Sequence, residues 1–367
     1  MGKNLNKYKG CLVGGAVGDA LGYAVEFDGL NEIYARYGKG GIKEYELSDG
    51  KALVSDDTQM TLFTANGLLF CHTREVTSGI KCNYTAALWE AYKDWLSTQY
   101  GGKTYIARRS WLVSVPELNA QRAPGNTCIS ALEKDVGGTI EVPINDSKGC
   151  GGIMRVAPIG LFFIGKDYEP QKIDMLGAEA AALTHGHDLG YISAAALTDI
   201  IYNVASKDMG LKCAVKNSLT AVNQLFLGAP HLDEFTELIN LAIELSASNL
   251  PDTEAIRQLG EGWVAEETLA IAVFCSLKYR DDFEKAIVAA VNHSGDSDST
   301  GAVTGNILGA FLGLKKIPEK FITNLEMVQL IEEMAEDLYI GYDDSEKWKS
   351  KYVDCNFAYA DKKRHRL

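Results

Sequence analysis

The sequence predicts an all-α protein rather than an α/β protein. Apolar residues recur at i, i+3, i+4 and i+7 in most segments, which is the period of an amphipathic helix. Alternating patterns typical of strands are scarce and short, and the best of them covers 138–144. No linker-like segment and no internal repeat interrupts the chain. We therefore expect one domain over 1–345, followed by a polar, solvated C-terminal tail over 346–367.

The helical period can be followed from one segment to the next. In 84–98, for example, Leu88, Tyr92 and Trp95 lie on one face and charged residues lie on the other. The predicted helices are 8–22, 56–73, 84–98, 153–165, 171–184, 189–206, 211–227, 233–247, 264–278, 282–292, 298–313 and 325–339.

The first predicted helix and the helix over 298–313 each carry glycine at every fourth position, so the glycines lie near one helix face. These glycines are Gly10, Gly14, Gly18 and Gly22, and then Gly301, Gly305, Gly309 and Gly313. Glycine inside a helix costs about 1 kcal/mol relative to alanine, so close backbone approach is the expected compensation. We predict that both helices are central and tightly packed. The two helices could pack against each other.

The segment before the second predicted helix, Ser55-Asp56-Asp57-Thr58, is a cluster of hard oxygen ligands. Ser55 is a natural N-cap, and acidic residues in a first turn complement the helix dipole. Capping alone therefore explains this cluster when it is considered by itself.

A second cluster, Gly295-Asp296-Ser297-Asp298-Ser299, precedes a helix rich in glycine and alanine. A cap needs one acid or hydroxyl, whereas this segment has several. A helix of such small residues is expected to be buried, and buried carboxylates without partners are costly. This repetition favours metal binding over capping.

Together the two clusters predict a metal site of six oxygen groups. Converging carboxylates raise one another's pKa, and a divalent cation relieves that repulsion. Oxygen-only ligand sets suit Mg²⁺, Mn²⁺ or Ca²⁺, and six groups can hold two cations that clamp a substrate and activate a water molecule. The candidate metal ligands are Ser55, Asp56, Asp57, Asp296, Asp298 and Ser299.

The glycine-rich turn over 148–152 leads into the predicted helix 153–165. Its backbone N–H groups could cradle an anion, although an ordinary flexible turn explains the pattern equally well. The turn lacks the GK[ST] ending of a P-loop. Arg155, close by, is a candidate contact to a phosphate.

Two further polar residues are candidates for the site because of their positions in the sequence. Asn126 lies at the end of the long irregular stretch 100–127, where it is a candidate ligand contact, although turn chemistry explains it too. Glu26 follows the glycine-lined first helix. If that helix faces the acidic clusters, Glu26 lies on a mobile segment at the mouth of the site, as a metal ligand or a gate.

Histidines give a weaker signal. His185 and His187 form an HxH pair, but the sequence places no third nitrogen or sulfur ligand beside them, so a zinc site is not expected. His293, next to the second acidic cluster, is a lone candidate.

Composition limits the possible classes of function. The formal net charge of −13 argues against sequence-independent binding of nucleic acid. An apolar fraction of 46% with 23% charged residues is typical of a soluble globular protein. The 8 cysteines form no CxxC pair and the N-terminus has no secretory h-region. We expect a reduced, cytoplasmic monomer without membrane contact.

Five motifs occur in order along the chain: Gly14–Gly22 with Glu26, Ser55–Thr58, Gly151–Pro158, Leu183–His185 and Gly295–Gly301. Their combination closely resembles the ADP-ribosylglycohydrolase family, which includes the dinitrogenase reductase-activating glycohydrolases. The resemblance covers about 8–315 of the chain.

The resemblance implies a compact orthogonal multi-helix bundle with a central binuclear Mg²⁺ site, for which Mn²⁺ is an alternative. The six oxygen residues above would be the metal ligands, and Glu26 would be the flap glutamate near the metals. The ADP-ribose pocket would be lined by the 149–154 turn and by His185. The candidate substrate-binding residues are Asn126, Gly149, Gly151, Gly152, Met154 and His185.

The implied reaction is hydrolysis of the bond between the anomeric carbon of ribose and a modified side chain. Such a reaction passes through an oxocarbenium-like state. Metals can hold the ribose hydroxyls and lower the pKa of a bound water, while a carboxylate takes its proton. Asp57 and Asp298 are the preferred carboxylates for that step, and Glu26 is the third catalytic candidate.

The second acidic motif also bears on the linkage. Its Asp-Ser-Asp-Ser form resembles the arginine-specific branch of the family more than the serine-specific branch, which tends to carry threonine there. We therefore expect an ADP-ribosylated protein as the substrate, with ADP-ribose removed from arginine. The alternatives are hydrolysis of serine-linked ADP-ribose or of ADP-ribose esters, and an immunity protein that acts against an ADP-ribosylating toxin.

Overall fold

The prediction of an all-α protein is confirmed. The structure, a computed structural model, describes residues 2–81, 83–100, 110–207 and 209–353. No strand occurs among these residues, and 138–144 is irregular. The helices are α1 (Leu5–Tyr23), α2 (Leu30–Tyr37), α3 (Asp56–Ser78), α4 (Tyr84–Gln99), α5 (Asn126–Leu132), α6 (Ala157–Phe162), α7 (Pro170–Ala182), α8 (Asp188–Ser206), α9 (Leu211–Leu225), α10 (Leu232–Leu245), α11 (Asp252–Leu259), α12 (Ala265–Lys278), α13 (Phe283–Val291), α14 (Ser297–Leu312), α15 (Glu319–Thr323), α16 (Val328–Ile340) and α17 (Glu346–Tyr352).

The two glycine-lined helices, α1 and α14, pack against each other in an antiparallel pair at the centre of the fold. A Cβ added at Gly18 would lie 1.9 Å from the carbonyl oxygen of Gly301, and one added at Gly305 would lie 1.9 Å from that of Gly14. Equivalent contacts join Gly10 to Gly309 near the other end of the pair. Glycine is therefore required along this seam because backbone atoms of one helix occupy the space of the missing side chains of the other.

One predicted helix, 153–165, is wrong at its start. The structure has a short 3₁₀ helix over Cys150–Gly152 and begins α6 only at Ala157. Pro158 occupies the first turn of α6, where its missing N–H costs no hydrogen bond. Inside a helix that began at Ile153, it would lack the hydrogen bond to the Met154 oxygen and its ring would clash there. The helix therefore begins later than the apolar pattern suggests.

The segment after 345 begins with structure rather than with a solvated tail. Residues 346–352 form α17, which buries Trp348 and Tyr352, and the indole Nε1 of Trp348 donates to Thr73 Oγ1 of α3 at 2.9 Å. The sequence of α17 is mostly polar, but its two large aromatic residues are buried. The rest of the predicted tail, 354–367, lies outside the described residues.

A single hydrophobic core runs through the bundle and includes residues of α1, α3, α8, α12 and α14. The six cysteines in the described part of the chain are free thiols. In that part of the chain, none of the helices has the length and apolar character needed to cross a membrane.

Candidate functional site

The two acidic clusters meet where α3 and α14 begin. Ser299 Oγ donates a hydrogen bond of 2.9 Å to Asp57 Oδ2, across 242 positions of the sequence. At the start of α3, Ser55 Oγ caps the helix by accepting from the Asp57 amide at 3.2 Å. At the start of α14, Asp296 Oδ1 accepts from the Ser299 amide at 3.2 Å. The residues that cap α3 and α14 therefore belong to the same two clusters that meet in space.

A cavity of about 340 Å³ opens at this junction. Five carboxylates line it, and among the described residues that line it there is no lysine or arginine. The five are Glu26, Asp56, Asp57, Asp296 and Asp298.

Glu26 lines the cavity together with the residues of the two acidic clusters. Its side chain is buried, and Oε2 has no hydrogen-bond partner. Burial raises its pKa to about 10, and the negative charges of Asp298, Asp296 and Asp56 act in the same direction. An orphaned carboxylate oxygen among like charges is the arrangement that a cation would relieve.

Burial also raises the pKa of Asp56, Asp57 and Asp296 well above the ordinary value. In each case the charge of Asp298 raises the pKa further and is the strongest effect of a charged neighbour. Hydrogen bonds soften this repulsion only in part. Asp56 Oδ2 accepts from the Gly125 amide at 3.2 Å. Such a donor set, made of oxygens and crowded with negative charge, fits hard divalent cations.

Asp19 is a structural residue of the site that the sequence did not assign. It lies on α1, fully buried, and accepts hydrogen bonds from the amides of Ser55 and Thr58 at the start of α3. Burial and the nearby Asp298 raise its pKa to about 7. The signal was present in the sequence, because a lone acid within an apolar, glycine-lined helix requires partners.

The glycine turn forms one wall of the cavity. Gly149, Gly151 and Met154 line it, whereas Gly152 is buried behind them against Ala181. A Cβ at Gly151 would lie 2.8 Å from Cys128 Sγ, so only glycine fits there. Asn126, at the start of α5, also lines the cavity.

A short antiparallel bridge, Gly149 with Val264, holds the turn in place. The same bridge brings Trp263 to the cavity mouth, where its ring stacks on Phe27 with 6.1 Å between centroids. The sequence analysis missed both aromatic residues. Phe27 follows Glu26 directly, and this adjacency was the available signal. Trp263 follows Gly262, whose φ of +84° favours glycine, and it has no predicted site residue beside it in the sequence.

Cys150 is a second residue that the sequence analysis did not assign to the site. Its Sγ donates to Asp296 Oδ2 at 2.7 Å, within the cavity. Burial raises the pKa of this thiol well above its ordinary value, and the Asp296 carboxylate adds to the effect. The thiol is therefore held in its neutral form next to the carboxylates.

His185 lines the cavity, but its neighbours His187 and Arg155 do not. Burial, with the charge of Arg155 in addition, lowers the pKa of His185 to about 3, so its imidazole is neutral. The Arg155 side chain is fully buried, packs over the Tyr92 ring and donates to Thr184 Oγ1 at 2.7 Å. The interpretation of Arg155 as a phosphate contact is therefore wrong.

His293 is also a structural residue. Its side chain is buried, with Nε2 3.0 Å from Thr300 Oγ1, and it does not line the cavity.

The fold and the cavity define an all-α protein with an acidic, oxygen-lined site. The profile of the family described as ADP-ribosylglycohydrolase matches residues 2–347. The chain belongs to the ADP-ribosylglycohydrolase family, whose members are hydrolases.

Relatives span nearly the whole chain at low identity. An ADP-ribosyl-[dinitrogen reductase] glycohydrolase of Rhodospirillum rubrum is 26% identical over 87% of this chain and 90% of its own. The ADP-ribosylhydrolase ARH3 of Bos taurus is 22% identical over 92% and 93%. The ADP-ribosylarginine hydrolase Tri1 of Serratia proteamaculans is 23% identical over 92% and 80%. A solved structure described as an ADP-ribosylglycohydrolase-related protein complex has the same fold, with a TM-score of 0.56 and 24% identity over 92% of this chain and 98% of that chain.

Proposed function

We propose that this protein is a metal-dependent hydrolase that removes ADP-ribose from modified arginine side chains of proteins. The observation that supports this most directly is the convergence of five carboxylates in one cavity whose described lining has no basic side chain. Family membership supports the glycohydrolase chemistry, and the cavity supports the metal dependence.

The six oxygen residues at the starts of α3 and α14 would hold two Mg²⁺ ions, or Mn²⁺ in their place. When bound, the two cations would supply the positive charge that holds ribose hydroxyls and makes a water molecule a stronger nucleophile. The raised pKa values of Asp56, Asp57 and Asp296 and the orphaned Glu26 Oε2 support this assignment, because each is relieved by a cation.

Asp57 and Asp298 are the residues proposed to take the proton of the attacking water. The hydrogen bond from Ser299 Oγ to Oδ2 orients the Asp57 carboxylate, which lines the cavity. Glu26 would close the site beside them. His185 would act as a neutral contact and not as an acid, since its pKa is about 3.

The mouth of the cavity supports arginine as the modified residue. A guanidinium group is attracted by the aromatic faces of Phe27 and Trp263 at the cavity mouth. The glycosidic oxygen of a modified serine has no charge and gains nothing from these faces. The relative from Serratia proteamaculans, whose name specifies ADP-ribosylarginine, is consistent with this choice.

The test is an assay of ADP-ribose release from arginine-linked and serine-linked ADP-ribosyl peptides, with Mg²⁺ and with EDTA. We expect release from the arginine-linked peptide only with Mg²⁺, and loss of release in Asp298→Asn. Asp174→Asn is the matched control, because it makes the same substitution at a buried aspartate of α7 outside the cavity. No release from either peptide would contradict the hydrolase assignment, and release from the serine-linked peptide alone would contradict the linkage.

A further inference from the structure

A second group of metal-binding side chains lies at the start of α8, away from the carboxylate cavity. One ring nitrogen of His187, one carboxylate oxygen of Asp188 and one ring nitrogen of His231 lie within 4.8 Å of one another. His187 is the N-cap of α8, Asp188 is its first residue, and His231 precedes α10. The third ligand, which the sequence did not place, is therefore 43 positions beyond Asp188. The HxH pair itself is divided, because His185 faces the cavity and His187 faces this cluster.

The separations fit three ligands around one ion. Asp188 Oδ1 lies 2.8 Å from His231 Nδ1 and 3.0 Å from His187 Nδ1. Ligands bound at about 2.0–2.2 Å around one metal are themselves roughly 3 Å apart. The two imidazole rings lie 4.7 Å apart between centroids, at 32° to each other. The His231 amide donates to Asp188 Oδ2 at 2.9 Å, which holds the other carboxylate oxygen toward the rings.

The contact between His187 and Asp188 also needs a proton or a metal ion. The Leu189 amide lies 3.2 Å from His187 Nδ1 and 2.9 Å from Asp188 Oδ1, so one N–H is shared between two acceptors. As an acceptor, His187 Nδ1 presents lone-pair density only 3.0 Å from a carboxylate oxygen. Two lone pairs at this distance are stable only with a proton or a metal ion between them.

The surroundings allow an ion to enter and to be held. The Asp188 and His187 side chains are 7% and 16% exposed, whereas His231 is 43% exposed and opens the cluster to solvent.

We propose that His187, Asp188 and His231 form a site for one Zn²⁺ ion or a similar first-row transition metal. Two imidazoles and one carboxylate suit Zn²⁺, whereas Mg²⁺ prefers oxygen ligands alone. The His187 amide donates to Ser147 O at 3.2 Å, next to the glycine turn, and His185 is two residues away. The bound ion stabilises the segment that carries His185 into the cavity. This proposal does not depend on the reaction assigned to the cavity.

The test is a competition titration of the full-length protein with Zn²⁺ against a chromophoric chelator, in excess Mg²⁺ to occupy oxygen-only sites. Wild type should bind one Zn²⁺. His231→Ala should weaken binding by at least about 10-fold, since even partners outside the ligand shell contribute about 10–100-fold. His72→Ala is the matched control, because it removes an imidazole that instead contacts Lys166. Equal affinity in wild type and His231→Ala, or no Zn²⁺ uptake by wild type, would overturn the proposal.

A second measurement separates this site from the carboxylate cavity. Co²⁺ bound to nitrogen ligands gives visible absorption bands, which should persist in Asp57→Asn and disappear in His231→Gln. The glutamine variant keeps a polar side chain at a half-exposed position, so the fold is preserved. Bands lost in Asp57→Asn and kept in His231→Gln would assign the ion to the cavity and contradict the proposal.

Discussion

Replacing Gly18 by alanine tests whether close approach of α1 and α14 is what the glycines provide. The new Cβ would lie 1.9 Å from the Gly301 oxygen and 2.3 Å from the Gly301 carbonyl carbon. Ordinary carbon–oxygen contacts across packed helices are about 3.3 Å or longer, so the helices must separate by roughly 1.4 Å at this point. Both obstacles are backbone atoms, and no side-chain rotation can relieve them.

The magnitude follows from two opposing effects. Alanine is favoured over glycine inside a helix by about 1 kcal/mol. Overpacking a core costs about 1–3 kcal/mol and occasionally more, and a clash with backbone belongs at the upper end. Separation at Gly18 also loosens the neighbouring contact between Gly14 and Gly305. We expect Gly18→Ala to lower the free energy of unfolding by about 2 kcal/mol.

The assay is urea unfolding followed by far-UV circular dichroism. With a slope of about 3 kcal/mol per molar urea, the midpoint should fall by roughly 0.7 M. Gly190→Ala is the control, because this buried glycine of α8 has no atom closer than 3.5 Å to the new Cβ and should lose no stability. An unchanged midpoint in Gly18→Ala would refute the idea that the seam requires glycine.

Three further predictions concern charge. Mg²⁺ at about 100 times its dissociation constant should stabilise wild type against unfolding by about 2.7 kcal/mol, and Asp57→Asn should lose this stabilisation. In EDTA, Asp57→Asn should be more stable than wild type, because it removes one of several repelling carboxylates. Calorimetry with and without EDTA measures both effects. Burial, with the charge of Asp199, raises the pKa of Asp174 to about 8, so the stability that protonated Asp174 contributes at low pH is lost as the pH rises to about 8. At pH 8 the urea midpoint of Asp174→Asn should therefore be higher than that of wild type, and equal midpoints would contradict this. Trp263→Leu should reduce kcat/KM about 2- to 30-fold for an arginine-linked peptide, the range of a cation–π contact of about 0.5–2 kcal/mol, and less for a serine-linked peptide.

The sequence predicted the long helices because several turns of apolar period leave little ambiguity. It missed α2 and α11, of eight residues each, because two turns contain too few repeats to establish a period. It also missed α17, because the sequence of this helix is mostly polar although Trp348 and Tyr352 are buried.

The site was predictable where its residues are neighbours in sequence. Each acidic cluster lies within a few residues of a helix start, so local composition located both of them. Trp263 could not be assigned because its position depends on the bridge between Gly149 and Val264. Arg155 was misassigned because no local pattern shows that Tyr92 and Thr184 already occupy its guanidinium.

The seam between α1 and α14 also explains why the carboxylates can crowd together. A Cβ at Gly22 would lie 2.2 Å from the Ser297 oxygen and 2.6 Å from Asp298 Cα, so α1 reaches the first turn of α14 only because residue 22 has no side chain. That approach places Glu26, four residues later, against Asp298 and Asp296. The same helix brings Asp19 to the start of α3. Close packing along this seam therefore holds the carboxylates together, and the loss of Gly18 or Gly22 should disturb the site as well as the fold.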